Sequence, residues 1–170
     1  MKTIAKFEKV SYEQFKKDFI KSAICTCTEN EIKDIYDKIQ LPKRATKGSA
    51  GYDFKMPAPI TMKRDMTYII PTGIRCFIQD GWVLQLHPRS GLGFKKGFKL
   101  LNTTGIIDSD YYNSNNEGHI MAKVSYNYGE PLLTLEQGDG FLQGVFVEYG
   151  ITVDDNAEGE RNGGFGSTGR

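Results

Sequence analysis

From Leu41-Pro42 to about residue 153 the sequence is cut into short runs rich in β-branched and aromatic residues. Met66–Ile70, Gly73–Ile78, Trp82–Leu86, Ile120–Tyr126 and Phe141–Tyr149 are each bounded by Pro, Gly, Asn or Asp. Runs this short, at this spacing, suit the strands of a β-sandwich or barrel, so the punctuation alone points to an all-β body. A length of 170 residues with 39% hydrophobic and 25% charged side chains suits one hydrophobic core. Ahead of that body, residues 3–10 read as a strand. Tyr12 to Gln40 then places Phe15, Phe19, Ile20 and Ile24, and after them Ile32, Ile35, Tyr36 and Ile39, at spacings of three and four. This periodicity predicts two short amphipathic helices, the second opened by a capping box of Thr28 and Glu31. Residues 154–170 hold almost nothing that can enter a core, and five of the 19 glycines fall in the last twelve positions. The expectation is one β domain over 1–153 with a helical insertion at about 11–40, and a flexible arm over 154–170.

Charge narrows the function classes. A net charge of +1 excludes the strongly basic balance of a general nucleic-acid binder, which needs several unpaired cations on one face. The distribution is uneven: residues 1–47 carry eleven basic and seven acidic side chains, residues 148–170 two and five. Solubility explains this adequately. No apolar stretch approaches 18 residues and no signal peptide is visible, so no membrane partner and a cytoplasmic location are expected. Cys25, Cys27 and Cys76 are an odd number without zinc-ligand spacing, and all three are expected as reduced thiols.

Three segments have residues suited to chemistry. No acidic residue lies between Gly81 and Ile107, whereas Arg89, Lys95, Lys96 and Lys99 do, with Ser90 and glycines at 81, 91, 93 and 97. Pro88-Arg-Ser-Gly91 can therefore cradle a phosphate, although an ordinary basic loop after a strand fits the same residues equally well. In Asn102-Thr-Thr-Gly-Ile-Ile-Asp-Ser-Asp-Tyr-Tyr112, Gly105 suggests a β-hairpin. Asp108 would end a strand, where it can act as a general base for water; taken by itself, Asp-Ser-Asp fits a common surface turn better. The tail Arg161-Asn-Gly-Gly-Phe-Gly-Ser-Thr-Gly-Arg170 lacks the Lys and the following helix of a P-loop. Phe165 within it would gain by closing over a flat base. His87 and His119 lie in separate segments, and no nucleophile constellation accompanies them.

Five segments, in order, resemble the motifs of the trimeric dUTPase family. They are Ala50-Gly-Tyr-Asp-Phe54, Pro88-Arg-Ser-Gly91, Gly105-Ile-Ile-Asp-Ser-Asp-Tyr111, Gly138-Asp-Gly-Phe-Leu-Gln143 and Arg161-Asn-Gly-Gly-Phe-Gly-Ser-Thr-Gly169. Each is weak alone; their order and spacing over residues 41–170 make the resemblance specific. It implies a jelly-roll-like β-barrel and a homotrimer with active sites at subunit interfaces. The implied reaction is Mg²⁺-dependent hydrolysis of dUTP to dUMP and pyrophosphate, which limits uracil in DNA and supplies dUMP for dTMP synthesis.

The resemblance also implies roles for single residues. Asp108 would activate the water that attacks the α-phosphorus, while Gln143 and the Ser90 and Gly91 backbone would hold phosphates. Tyr111 would lie against the deoxyribose and leave no room for a 2′-hydroxyl. The segment from Asn102 through Gly105 to Ile107 would read uracil through its main chain. Asp53 would stand near the water shell of Mg²⁺, and Arg89 would organise the site. The arm would close from another subunit, with Phe165 over uracil, Gly166 allowing the fold-over, and Arg161, Ser167 and Thr168 on the terminal phosphates.

Motif one ends in Phe54 where Leu is usual, and motif four has Leu142 where Ala is usual. The insertion at 11–40 is absent from the compact family form and could bind a regulatory protein partner. The nearest rival is a dCTP deaminase of the same fold. The strand Gly118-His-Ile-Met-Ala-Lys-Val-Ser-Tyr126 lacks the catalytic Glu that such an enzyme carries there.

Overall fold

A computed structural model describes residues 2–159, 161 and 163. The chain opens with β1 (Ala5–Lys9), α1 (Tyr12–Ser22) and α2 (Glu29–Asp37). It continues through β2 (Lys43–Arg44), β3 (Tyr52–Lys55), β4 (Ile60–Lys63), β5 (Tyr68–Pro71), β6 (Ile74–Ile78) and β7 (Trp82–Pro88) to a short helix, α3 (Ser90–Lys96). After it come β8 (Lys99–Leu100), β9 (Gly105–Ile107), a 3₁₀ turn (Ser109–Asn113), β10 (Met121–Ser125), β11 (Leu132–Leu135) and β12 (Gly140–Glu148).

The strands pair antiparallel in four sheets: β2-β3-β12-β7-β9, β5-β10-β8, β11-β4 and β1-β6. This is the jelly-roll type of β fold that the sequence leads one to expect. Alternation drives it, as in β4, where Ile60 and Met62 are buried and Thr61 and Lys63 exposed. Their partners Leu135 and Leu133 on β11 are buried too. Phe141 and Leu142 break the alternation by both being buried, and the register shift between Gly140 and Leu142 is the bulge that permits it. Phe54 and Leu142, the two departures from the family motifs, are direct partners across β3 and β12, so their added volume is packed at one place in the core.

Both expected helices form. Ser11 caps α1 by accepting from Gln14 N, and the Thr28–Glu31 capping box opens α2. Phe15, Phe19, Ile32 and Ile39 join the same hydrophobic cluster as Phe54, Met62, Ile70 and Phe141. The helices therefore share the β body's core. Residues 155–159 carry no helix or strand and are exposed. Among the described residues, no helix is long and apolar enough to cross a membrane.

Two expectations are corrected. Cys25 and Cys27 are joined in a disulfide, and only Cys76 is a thiol. Their Cα atoms stand 5.9 Å apart, within the reach of a disulfide. Burial pushes the Cys76 thiol up to about 12, which keeps it protonated and unreactive. The segment around Gly105 is not a hairpin either, because β8 pairs with β10 while β9 pairs with β7. The chain reverses through Thr103, at φ 64°, to cross from one sheet to another.

Candidate active site

The first group of site residues lies at the end of β9. A cavity of about 300 Å³ is walled by Asn102, Thr104, Gly105, Ile107 and Tyr111, with Leu86 behind them. Tyr111 is only 5% exposed, and its hydroxyl donates to the His119 carbonyl (2.8 Å) and accepts from Asn116 Nδ2 (2.8 Å). Burial raises its phenol above the ordinary value, and the Asn116 bond offsets this only in part, so the ring is a neutral, fixed wall. A wider cleft of about 460 Å³ adjoins it, lined by Ile106, Asp108, Asp110, Tyr149 and Arg161.

Asp108 follows β9 directly and stands at the N-cap of the 3₁₀ turn without capping it, which leaves its carboxylate free to face the cleft. Arg161 occupies that carboxylate. Its Nη2 donates to Asp108 Oδ2 (2.6 Å), and its Nε forms an ion pair with Asp110 Oδ1 (2.9 Å) that lacks hydrogen-bond geometry. The guanidinium also stands 5.8 Å from the Tyr111 ring centroid. Arg161, expected on phosphates in another subunit's site, is thus placed against two carboxylates of its own chain.

The second group lies across the five-stranded sheet. Asp53 on β3, Gln143 on β12 and His87 on β7 are successive partners in one row. Arg89 Nε lies 3.6 Å from Asp53 Oδ1. Two glycines make room for these side chains: a Cβ on Gly140 would meet Arg89 Nη1 at 2.5 Å, and one on Gly51 would meet the Gln143 side chain at 2.3 Å. Ser90 and Gly91, expected in a loop, form the first turn of α3, ahead of its first internal bond from Leu92 N to Arg89 O. Their N–H groups face outward as the unpaired donors of a helix start.

No trio of His, Cys, Asp or Glu gathers as metal ligands among the described residues. Asp53 is one half-shielded carboxylate beside a guanidinium. That donor set does not make a protein cage; it fits a water-mediated contact to a hard cation whose remaining ligands are phosphate oxygens.

The two groups are far apart within one chain. β9, β7, β12 and β3 are consecutive neighbours, so Asp108 and Asp53 are separated by three strand spacings, about 14 Å. Ile107 faces Leu84, which puts Asp108 level with Val83, whereas Asp53 is level with His87. The four-residue offset adds about 13 Å along the strands, making the diagonal about 19 Å. The expected residues thus fall into two clusters: Asn102, Gly105, Ile107, Asp108, Tyr111 and Arg161 in one, and Asp53, Arg89, Ser90, Gly91 and Gln143 in the other. Phe165, Gly166, Ser167 and Thr168 lie outside the described residues. Sequence reasoning missed Asp110 as a partner of Arg161, although Asp-Ser-Asp was in view. It also missed Gly140 as the seat of Arg89, for which no local signal exists.

Residues 37–169 match the dUTPase family model. The deoxyuridine 5'-triphosphate nucleotidohydrolase of Lactococcus lactis subsp. lactis is 41% identical over 134 residues, covering 77% of this chain and 89% of that protein. The crystal structure of dUTPase from Streptococcus mutans shares 40% identity and has a TM-score of 0.60 over 68% of this chain and 89% of that one. A Staphylococcus bacteriophage 80alpha dUTPase variant, one of the phage dUTPases described as controlling transfer of virulence genes, covers 99% of this chain and 100% of its own. At 18% identity and a TM-score of 0.61, it shows likeness of fold alone. With this identity across most of its length, and the first four motif segments on a jelly-roll body, the chain belongs to the dUTPase family.

Proposed function

We propose that this dUTPase-family hydrolase converts dUTP to dUMP and pyrophosphate, with Asp108 as the general base for the attacking water. The observation that carries the reading is the position of Asp108, in the wider cleft that adjoins a half-open cavity of nucleoside size. The main chain of Asn102 to Ile107 would supply donors and acceptors for a pyrimidine edge, and the Tyr111 ring, lining the same cavity and held by its hydroxyl, would stand where a ribose 2′-hydroxyl needs room. With the base and sugar held there, the α-phosphorus lies in the cleft within reach of a water on Asp108. The carboxylate takes the proton as the water oxygen bonds to phosphorus and pyrophosphate departs.

Phosphates are held by the second cluster: Arg89, Gln143 and the Ser90 and Gly91 N–H groups. A separation of about 19 Å within one chain exceeds the reach of three linked phosphorus atoms, so the second cluster comes from a neighbouring copy. A homotrimer, closing head to tail, completes three sites in this way. Arg161 is released from Asp108 when a triphosphate offers it a stronger anionic partner, which frees the base as the arm, with Phe165, Ser167 and Thr168, covers the substrate. Mg²⁺ carried on the triphosphate would neutralise phosphate charge and align the reacting phosphorus. Asp53 would hold one of its waters.

A deaminase reading lacks its acid. Glu117, the last carboxylate before β10 in the sequence, accepts from Ser11 N (2.7 Å) and Ser11 Oγ (2.6 Å) and so faces α1 rather than the cavity. A regulatory partner on residues 11–40 would have to dock mainly through polar side chains, since the helices turn their large apolar residues into the core and leave only Ile20 prominently exposed. The test is pyrophosphate release from a panel of ribo- and deoxyribonucleoside triphosphates with Mg²⁺. Release from dUTP alone is expected; ammonia from dCTP would overturn the reading.

A further inference from the structure

We propose that Asp18 and His119 are positioning residues through which α1 holds Tyr111 against the sugar of the substrate. The inference rests on the reading of Tyr111 as the sugar-facing wall. His119 is fully buried and is held at both ring nitrogens. Its Nε2 accepts from Gly73 N (2.9 Å), so the ring proton is on Nδ1 and is donated to Asp18 Oδ2 (2.6 Å). Gln14 Nε2 donates to the same Asp18 oxygen (2.7 Å). A ring tied at both ends fixes its own main chain, and the His119 carbonyl is the acceptor for the Tyr111 hydroxyl.

The segment leading to His119 is anchored in the same way. Glu117 receives two bonds from Ser11, the N-cap of α1, and the single Ser114 hydroxyl proton is shared between Tyr111 O (2.8 Å) and Asn116 Oδ1 (2.7 Å). Asn116 in turn donates to the Tyr111 hydroxyl. Gly118, at φ 69°, lets the segment pass so closely that a Cβ there would stand 2.8 Å from Tyr111 O. The loop that orients Tyr111 is therefore clamped at Glu117 and His119, and both clamps are on α1, one at its N-cap Ser11 and one at Asp18.

Packing alone does not call for this arrangement. An apolar pair of similar volume would dock α1 with equal or greater stability, because burying a charged carboxylate carries a desolvation cost. Burial raises the Asp18 carboxyl, yet the bonds from His119 and Gln14 outweigh it and leave the group below the ordinary value, hence ionised. What the polar pair adds is direction: one tautomer, one ring plane and one carbonyl orientation beneath Tyr111.

The test compares kcat and KM for dUTP and UTP in folded variants. Asp18→Ala is expected to lower the dUTP-over-UTP preference about tenfold through KM, with kcat for dUTP within about twofold. Asp18→Asn retains an acceptor for Nδ1–H and should restore the preference to within about twofold. Ile32→Ala loosens the helices without touching the pair and should leave the preference unchanged. An unchanged preference in Asp18→Ala, or an equal shift in Ile32→Ala, overturns the inference. Should Asp18→Ala fail to fold, Gln14→Ala at the more accessible end should lower the preference about threefold, and no change there overturns it as well. A wild-type enzyme that ignores dUTP, or does not prefer it over UTP, sinks the underlying reading and this inference with it. A selective wild type with an equally selective Asp18→Ala sinks this inference alone.

Discussion

The two halves of the site are built by opposite means. The half around Tyr111 is main chain and buried ring, and each polar atom of Tyr111 is bonded into the body. The half around Asp53 relies on long side chains: Arg89 is 45% exposed and touches Asp53 only at 3.6 Å. Reading a base and a sugar needs shape, and shape survives only in a packed setting where side chains cannot rearrange. Holding phosphate needs charge and donors, which act at the surface without a rigid frame. Function and stability should therefore be coupled in the first half and separable in the second.

That contrast can be broken or sharpened experimentally. The largest effect is expected for Asp108→Asn, which should reduce kcat about 10²–10⁴-fold while dUTP binding persists; full turnover would remove Asp108 from its role. Next, truncation after Glu160 should leave a folded protein with turnover reduced about 10²–10³-fold, since it deletes the donors that complete the closed site. Comparable rates with and without residues 161–170 would refute the arm's contribution. Co-refolding equal amounts of the inactive Asp108→Asn and Gln143→Ala chains should then recover about a quarter of wild-type activity, the share of sites drawing an intact half from each neighbour. No recovery would mean that both halves belong to one chain.

Two smaller effects test the coupling directly. Arg89→Ala should raise KM for dUTP about tenfold while stability changes by less than about 1 kcal/mol, as for an exposed ion pair. A large fall in Tm would show that the second half is structural after all. Tyr111→Phe should change the dUTP rate only a few fold yet cost about 1–2 kcal/mol of stability, because the His119 carbonyl and Asn116 lose a buried partner. An unchanged denaturation midpoint would contradict that.

Much of the fold was legible because its signals are local. The three-and-four spacing from Phe15 to Ile39 and the Thr28–Glu31 pair act within a few residues, and both helices and the capping box formed where they pointed. Short strands such as β4 and β11 leave little local signal, since two pairs of inward residues mean little until the strands meet. The Cys25–Cys27 bond is not legible in the sequence, because a separation of two residues permits the 5.9 Å Cα distance of a disulfide without requiring it. Within the site, the motif residues were visible in the chain, but not that they divide into two distant clusters.

The sequence by itself determined the kind of body, the family and the inventory of groups available for chemistry, because periodicity, turn residues and motif order are properties of neighbours along the chain. Only the tertiary structure decided which groups meet. Asp18 and His119 are 101 residues apart in sequence, and Ser11 and Glu117 are 106 apart. No local pattern marks either pair, for a hydrogen bond depends on separation in space, and that is set by how sheets and helices close on one core.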